Sequence, residues 1–281
     1  MMTNFSHRCN IVCFVLWITA ASLTVYSLPA SSMEPAAGSD ILPTPNKPRP
    51  LQHRPWKRPL WQVHTVYGLY SAGGDLGIRF GPSSMVGLEL QRQTPPNGWI
   101  WSLRGGHLFG AQVKETSLFG AIATASGDII TANGVFEDYR LRQFGWFVEG
   151  RLGKIVFPMG PQGSGIRLDL GIGMLQHKIW IETPNNNSPQ LSSEYKRGYD
   201  RLCDGLSLSQ SLTYHYLSVN RLINFQVGVD LIQAFTRERR SVRYDTGLPA
   251  HDARRDLLDG LKFSWILPIY ERSEKADLYF D

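Results

Sequence analysis

The sequence predicts an all-β fold, an eight-stranded antiparallel transmembrane β-barrel preceded by a signal peptide and a Pro-rich leader. Apolar and polar residues alternate with period two in most segments after residue 60. The predicted strands have about ten or more residues, the length that a tilted strand needs to cross a bilayer. Short connections alternate with long ones, as they do in outer-membrane barrels.

The composition disfavours several other classes of protein. Of the 281 residues, 42% are apolar and 19% are charged, which suits a folded core and argues against disorder. No long segment has an apolar stripe with the helical period, so helix bundles and doubly wound α/β folds are disfavoured. The 29 basic and 24 acidic residues are a mixed balance that does not indicate a nucleic-acid partner.

The N-terminal 32 residues have the layout of a secretory signal peptide. His7 and Arg8 precede an apolar run over 11–28, and small residues follow over 27–32. An uncleaved anchor is the alternative, because the run approaches the length that spans a bilayer. The predicted domains are a signal peptide (1–32), a Pro-rich flexible periplasmic leader (33–60), the barrel (61–272) and a C-terminal tail (273–281). Cys203 alone would remain after cleavage, so no internal disulfide is expected.

Eight segments are predicted to be strands. In the clearest segment, Leu206, Leu208 and Leu212 fall on one face, and Ser207 and Ser209 fall on the other. The segments are 61–71, 84–93, 98–110, 140–157, 165–174, 206–217, 223–235 and 257–269. The connections at 94–97, 158–163 and 218–221 are short, whereas those at 111–139, 182–203 and 236–256 are long. This asymmetry predicts that the short turns and both chain ends lie in the periplasm. The sequence leaves open whether 111–139 forms extra strands, a short helix or a plug.

The positions of charged residues predict which face meets lipid. Arg92 and Lys154, on the apolar face, lie near the periplasmic ends of their strands, and Asp259 lies near the outer end of the last strand, where a charge costs less than at the midplane. A soluble eight-stranded barrel or sandwich, with its charged face toward water, is the alternative. Eight charges on the polar face are predicted to form a polar network in the lumen: Glu89, Arg104, Glu149, Arg151, Arg167, Asp169, Asp230 and Lys262.

These patterns predict an outer-membrane protein of a Gram-negative bacterium. Side chains just fill an eight-stranded barrel, so its lumen is not expected to be an open pore and its charges are interpreted as structural. No Walker loop, paired CxxC, HExxH or GxSxG motif is present, and no cofactor, metal ligand or catalytic residue is predicted. His107 and His251 leave a lipid-modifying enzyme as a minor alternative.

The arginines of the last long connection, 236–256, form a candidate rim for anionic lipid. Guanidinium groups can bind the phosphates of lipopolysaccharide through paired hydrogen bonds. The acidic residues among them make a solvated, self-paired loop the alternative. The six arginines of this rim are Arg237, Arg239, Arg240, Arg243, Arg254 and Arg255.

Several stretches resemble a family of Bacteroidota-type outer-membrane β-barrel proteins. They include Gly-Tyr-Asp-Arg-Leu at 198–202 and Trp-Ile-Leu-Pro-Ile-Tyr at 265–270. The resemblance covers most of the chain from about residue 110 onward. It implies a barrel in the outer membrane and, by association, an accessory role in a machine such as type IX secretion or barrel assembly.

The predicted function is therefore a non-enzymatic structural or accessory component of an outer-membrane secretion or assembly machine. The Pro-rich leader motivates it, because a free-standing barrel has no need of a long periplasmic arm. The expected partners are outer-membrane lipid, lipopolysaccharide and proteins of an envelope complex. A small porin-like transport protein is the main alternative.

Overall fold

The computed structural model of the chain describes residues 59–94, 98–159, 163–184, 188–218, 223–250 and 252–269. The predicted signal peptide, the leader up to residue 58 and the predicted C-terminal tail lie outside these residues.

Eight long strands form a closed antiparallel barrel. They are β1 (Leu60–Gly73), β2 (Ser83–Thr94), β3 (Trp99–Gly110), β6 (Arg140–Pro158), β7 (Gly165–Glu182), β8 (Cys203–Leu217), β9 (Asn224–Glu238) and β10 (Ala253–Ile269). Their order around the barrel is β1-β10-β9-β8-β7-β6-β3-β2, and β1 closes onto β10. Each strand pairs with the long strands that precede and follow it in the chain, which is an up-and-down barrel.

The shorter elements lie between the long strands. A two-stranded hairpin, β4 (Ile129–Ile130) and β5 (Phe136–Glu137), occupies part of 111–139. Helix α1 (Gly74–Arg79) connects β1 to β2, and helix α2 (Ser193–Tyr199) precedes β8, directly after a short 3-10 helix (Pro189–Leu191). No helix in the described part of the chain is long and apolar enough to cross a membrane.

Two glycines permit close backbone contacts that a side chain would prevent. At Gly106 on β3, an added Cβ would lie 2.1 Å from the carbonyl oxygen of Val86 on β2. At Gly74, which begins α1 with a φ of +59°, it would lie 2.4 Å from the carbonyl oxygen of Arg255. Glycine therefore allows β2 and β3 to approach closely at Gly106 and α1 to begin directly above the β1–β10 seam.

The barrel turns its apolar face outward over the membrane-spanning part. On β8, Leu208 and Leu212 are 42% and 49% exposed, whereas Ser207 and Ser209 point inward and are buried. A soluble barrel would show the reverse arrangement, because apolar groups gain free energy when they leave water. An apolar exterior around a closed sheet is the arrangement that lipid requires. The prediction of an eight-stranded transmembrane barrel is confirmed.

The pattern inverts toward the end that carries the long connections. On β7, the inward residues Leu175 and Ile179 are each 1% exposed, while Gln176 and Lys178 occupy outward positions. Apolar groups turn inward where water surrounds the wall, so this part of β7 extends beyond the hydrocarbon. The predicted strand stopped at 174 because its polar face changes sides there. Long loops lie on the extracellular side of such barrels, and the protruding end is therefore extracellular.

A charge at mid-depth on the outward face tests this membrane assignment. Leu170→Arg on β7 is expected to lower the free energy of unfolding by about 2–4 kcal/mol, because Leu170 is exposed at the middle of the stretch that lipid surrounds. Ile269→Arg, at the periplasmic end of β10, should cost about 0–1 kcal/mol. Urea titrations of the barrels in lipid vesicles, followed by tryptophan fluorescence, measure both values. Equal costs at the two positions would contradict the assigned depth.

Candidate functional site

The lumen contains a charge-balanced ionic network at the level of the bilayer. It has four acidic and four basic side chains, and each of the eight residues is 3% exposed or less. They are the residues that the sequence assigns to the polar face: Glu89, Arg104, Glu149, Arg151, Arg167, Asp169, Asp230 and Lys262. Equal numbers of opposite charges allow the network to be neutral without a bound counter-ion.

The network has two halves, and Asp230 on β9 is the centre of one of them. Its Oδ2 accepts hydrogen bonds from Nη1 and Nη2 of Arg104, both at 3.0 Å, and from the hydroxyl of Tyr70 at 2.8 Å. Its Oδ1 lies 3.4 Å from Nη2 of Arg151. Glu149 adds ion pairs to Nε of Arg104 at 2.7 Å and to Nε of Arg151 at 3.3 Å. Two acids and two arginines from three different strands thus compensate one another.

Arg167 on β7 is the centre of the other half of the network. It donates to Oδ1 of Asp169 from Nε at 2.6 Å, to Gln91 at 2.5 Å and to Glu89 at 3.3 Å. Nζ of Lys262 lies 3.7 Å from Oε2 of Glu89. The Ser211 hydroxyl connects the two halves, because it accepts from Arg151 at 2.5 Å and donates to Asp169 at 3.2 Å.

Neutral polar side chains and a small apolar cluster complete the lumen toward the periplasm. Gln91 donates to Gln62 at 2.8 Å, and the rings of His64 and His215 stack with centroids 6.1 Å apart. Below them lies a cluster of buried apolar residues, Leu60, Leu217 and Ile266.

A hydrophobic core closes the opposite, extracellular end. Loop residues Leu118, Phe119 and Ile129 pack there with inward residues of the strands, such as Phe147 and Leu175. The segment 111–139 therefore contributes a hairpin and part of a plug, two of the structures that the sequence left open. We call this core, together with α1 and the long connections, the extracellular cap.

A buried histidine forms a contact that sequence spacing did not reveal. Nε2 of His177 lies 2.9 Å from Oδ2 of Asp256, which also accepts from the Thr236 hydroxyl at 2.5 Å. These residues come from β7, β10 and β9 and are at most 2% exposed. The side chains lie beneath Phe80, which packs edge-on to the imidazole ring. The contact joins β7, β9 and β10 inside the barrel.

Arg79 at the end of α1 ties the loops of the cap together. Its guanidinium binds Glu115 at 2.6 Å and Glu238 at 2.8 Å. Arg201, whose backbone has a φ of +48°, binds Glu115 at 3.2 Å and Asp245 at 2.5 Å. Burial opposes the charge of Arg79, but the two carboxylates outweigh burial and raise its pKa above the ordinary value. Four separate segments are thus joined by two arginines.

The structure divides the six arginines of the candidate rim into two groups. Arg240 binds Asp200 with two hydrogen bonds, which raise the pKa of the guanidinium although burial opposes this. Carboxylates also pair with Arg239 (Asp204), Arg243 (Glu238 and Asp252) and Arg254 (Asp256). Arg237 lies on β9 and Arg255 on β10, and not in the loop that the sequence predicted, because both strands extend further than predicted. Both are exposed on the outward face and have no ion pair with another described residue. Four of the six thus pair with carboxylates of this chain.

Within the described ranges, no group of three or more His, Cys, Asp and Glu side chains is arranged to hold a metal ion. His107 lies on the outward face of β3 with its ring centroid 5.6 Å from that of Phe144. His251 lies outside the described residues.

A closed, even-stranded barrel with an apolar exterior and longer loops at one end is built for the outer membrane of a Gram-negative bacterium. The protein is located there.

Comparisons with known proteins find similar barrels among solved structures. No family model and no curated protein sequence matches the chain. Ail, the attachment invasion locus protein of Yersinia pestis, solved with the heparin analogue sucrose octasulfate, has a TM-score of 0.37 at 9% identity, over 74% of this chain and 97% of that chain. OprG from Pseudomonas aeruginosa has a TM-score of 0.31 at 12% identity, over 74% and 95%. Neisserial surface protein A has a TM-score of 0.31 at 9% identity, over 73% and 95%. These values assign neither a ligand nor an activity to this chain, and nothing in the comparisons supports a Bacteroidota or type IX secretion link.

Loss of one lumen carboxylate tests the ionic network. Asp230→Asn is expected to lower the free energy of unfolding by about 3–5 kcal/mol, because Arg104 and Arg151 lose the charge that compensates them. Asp138→Asn, which removes an exposed pair with Arg140 at 3.9 Å, is the matched control and should cost no more than about 1 kcal/mol. Urea unfolding in micelles gives both values. A change below about 1 kcal/mol for Asp230→Asn would show that the network contributes little to stability.

Proposed function

We propose that the protein is a non-enzymatic, non-conducting accessory barrel whose extracellular cap binds another component of the cell envelope. The observation that carries this proposal is the filling of the lumen by an apolar cluster, an ionic network and the core of the cap. A barrel filled in this way can bind partners at its surface, but it has no path for solutes through its lumen. The proposal keeps the accessory role in a secretion or assembly machine that the sequence predicts.

The β4–β5 hairpin is the part of the cap that best suits a partner. Its inner face is fixed, because Ile129 is fully buried and Glu137 accepts a hydrogen bond from Ser188 at 2.8 Å. Its outer face presents Ile130 and Phe136, which are directly paired across the two strands and are 45% and 65% exposed. Apolar side chains held rigidly at the surface lose little conformational entropy on binding, and they favour a protein contact.

The exposed arginines Arg237 and Arg255 support a second, lipid-directed contact. Arg255 pairs with Phe235 across β9 and β10, and Arg237 lies two residues beyond Phe235 on the same outward face. The two arginines are thus diagonal neighbours across β9 and β10, beside the exposed Phe235. We include the phosphates of lipopolysaccharide among the proposed partners on the basis of these two residues.

Recordings from planar bilayers test the non-conducting part of the proposal. The wild-type barrel is expected to give no steady conductance step, because the ionic network and the two apolar layers fill the lumen. The matched measurement uses a variant with the cap core weakened, Phe119→Ser, which should also remain closed because the ionic network persists below it. A steady, ion-selective conductance of the wild type would favour the porin-like alternative.

Site-specific photo-crosslinking in intact cells tests the partner surface. A photoreactive residue in place of Ile130 or Phe136 is expected to give the same discrete adduct from both positions, since the two side chains share one face. Thr246, which is exposed on a different loop of the cap, is the control position and should not give that adduct. Barrels that fold, as judged by a heat-dependent gel shift, but form no adduct from either hairpin position would contradict the proposal.

A further inference from the structure

Two basic side chains interrupt the apolar exterior near the periplasmic end of the barrel. Arg92 on β2 and Lys154 on β6 are exposed on either side of β3. Among the described residues, no other charged side chain occupies the outward face in the periplasmic half of the barrel, and neither of these two forms an ion pair there. The patch is therefore positively charged and has no acidic counterpart of its own.

Tryptophan rings hold the two cations at the edge of the hydrocarbon. Cζ of Arg92 lies 5.5 Å from the ring centroid of Trp61, and Nζ of Lys154 lies 5.3 Å from that of Trp99. Trp101, 62% exposed, is paired with Arg92 in the sheet. Tryptophan is enriched at the level of lipid headgroups, and a cation above its face keeps hydrogen-bond donors available.

An apolar groove leads from Arg92 toward the middle of the bilayer, and Lys154 lies on β6 two residues beyond Leu152, which lines the groove. Its volume is about 840 Å³, and Gly150 leaves open space in it, because a Cβ added there would meet no atom within 4 Å. The apolar side chains that line it include Leu90, Leu103, Leu152, Leu170 and Ile172. A hydrocarbon chain fits such a surface, since the groove is apolar along its length and has the basic Arg92 at one end.

We propose that this surface binds one anionic phospholipid of the periplasmic leaflet. Its phosphate would lie between Arg92 and Lys154, and an acyl chain would follow the groove across Gly150. Charge complementarity selects an anionic headgroup, and the short turns at this end select the periplasmic leaflet. The opposite wall of the barrel has aromatic residues at this depth, including Tyr214, Tyr216 and Trp265, but no basic residue on its outward face within the described ranges. The site is therefore local and does not extend as a ring around the barrel.

Native mass spectrometry of the full-length protein released from micelles tests the site. The probes are phosphatidylglycerol and phosphatidylcholine with identical acyl chains. The wild type is expected to retain one phosphatidylglycerol molecule about ten- to thirtyfold better than phosphatidylcholine, because two basic side chains contact the phosphate. Equal retention of the two lipids by the wild type would overturn the proposal without reference to any variant.

Three variants separate the headgroup contact from the groove. Arg92→Gln with Lys154→Gln should remove the preference for phosphatidylglycerol, whereas Arg142→Gln with Lys178→Gln, on the outward face at the extracellular end, should keep it. Gly150→Leu fills the groove and should reduce the retention of both lipids without changing the preference between them. The heat-dependent gel shift establishes that each variant is folded. A preference that survives in folded Arg92→Gln/Lys154→Gln, or that is lost equally in the extracellular pair, would overturn the site.

Discussion

In the hydrocarbon of a bilayer no water is present to pair with peptide groups, so a sheet that crosses it must have no open edge. The pairing of β1 with β10 satisfies this constraint, and the rest of the structure follows from it. Eight strands close around a lumen that is just wide enough for side chains, and in this chain side chains fill it. The residues that fill it must alternate with residues that contact lipid, and this alternation gives the sequence its period of two.

Filling the lumen with charges is costly unless the charges compensate each other, because desolvation of an isolated ion exceeds what one contact returns. The chain meets this requirement with arginines that each contact more than one acceptor. Arg104 binds Asp230 and lies close to Glu149, and Arg167 binds Asp169, Gln91 and Glu89. These ion pairs connect several strands across the lumen, which a single ion pair could not do.

Strand positions and face assignments could be predicted because both depend on local alternation. The eight lumen charges could be predicted for the same reason, since alternate residues along a strand point inward and outward. Contacts such as His177 with Asp256, or Arg79 with Glu238, join residues far apart in the chain, and no local pattern encodes them. The extension of β7 to Glu182 was missed for a different reason. Its alternation changes sides where lipid gives way to water, and a search for one continuous pattern stops at that point.

The position of α1 above the β1–β10 seam makes the cap dependent on barrel closure. Asp75 of α1 accepts a hydrogen bond from the backbone of Arg255 at 2.7 Å, and Arg79 reaches Glu238 at the end of β9. One partner in each contact belongs to the beginning of the barrel and the other to its last two strands. An antibody raised against the assembled cap would therefore distinguish a finished barrel from one whose first and last strands have not yet met, and it would serve as a reporter of biogenesis.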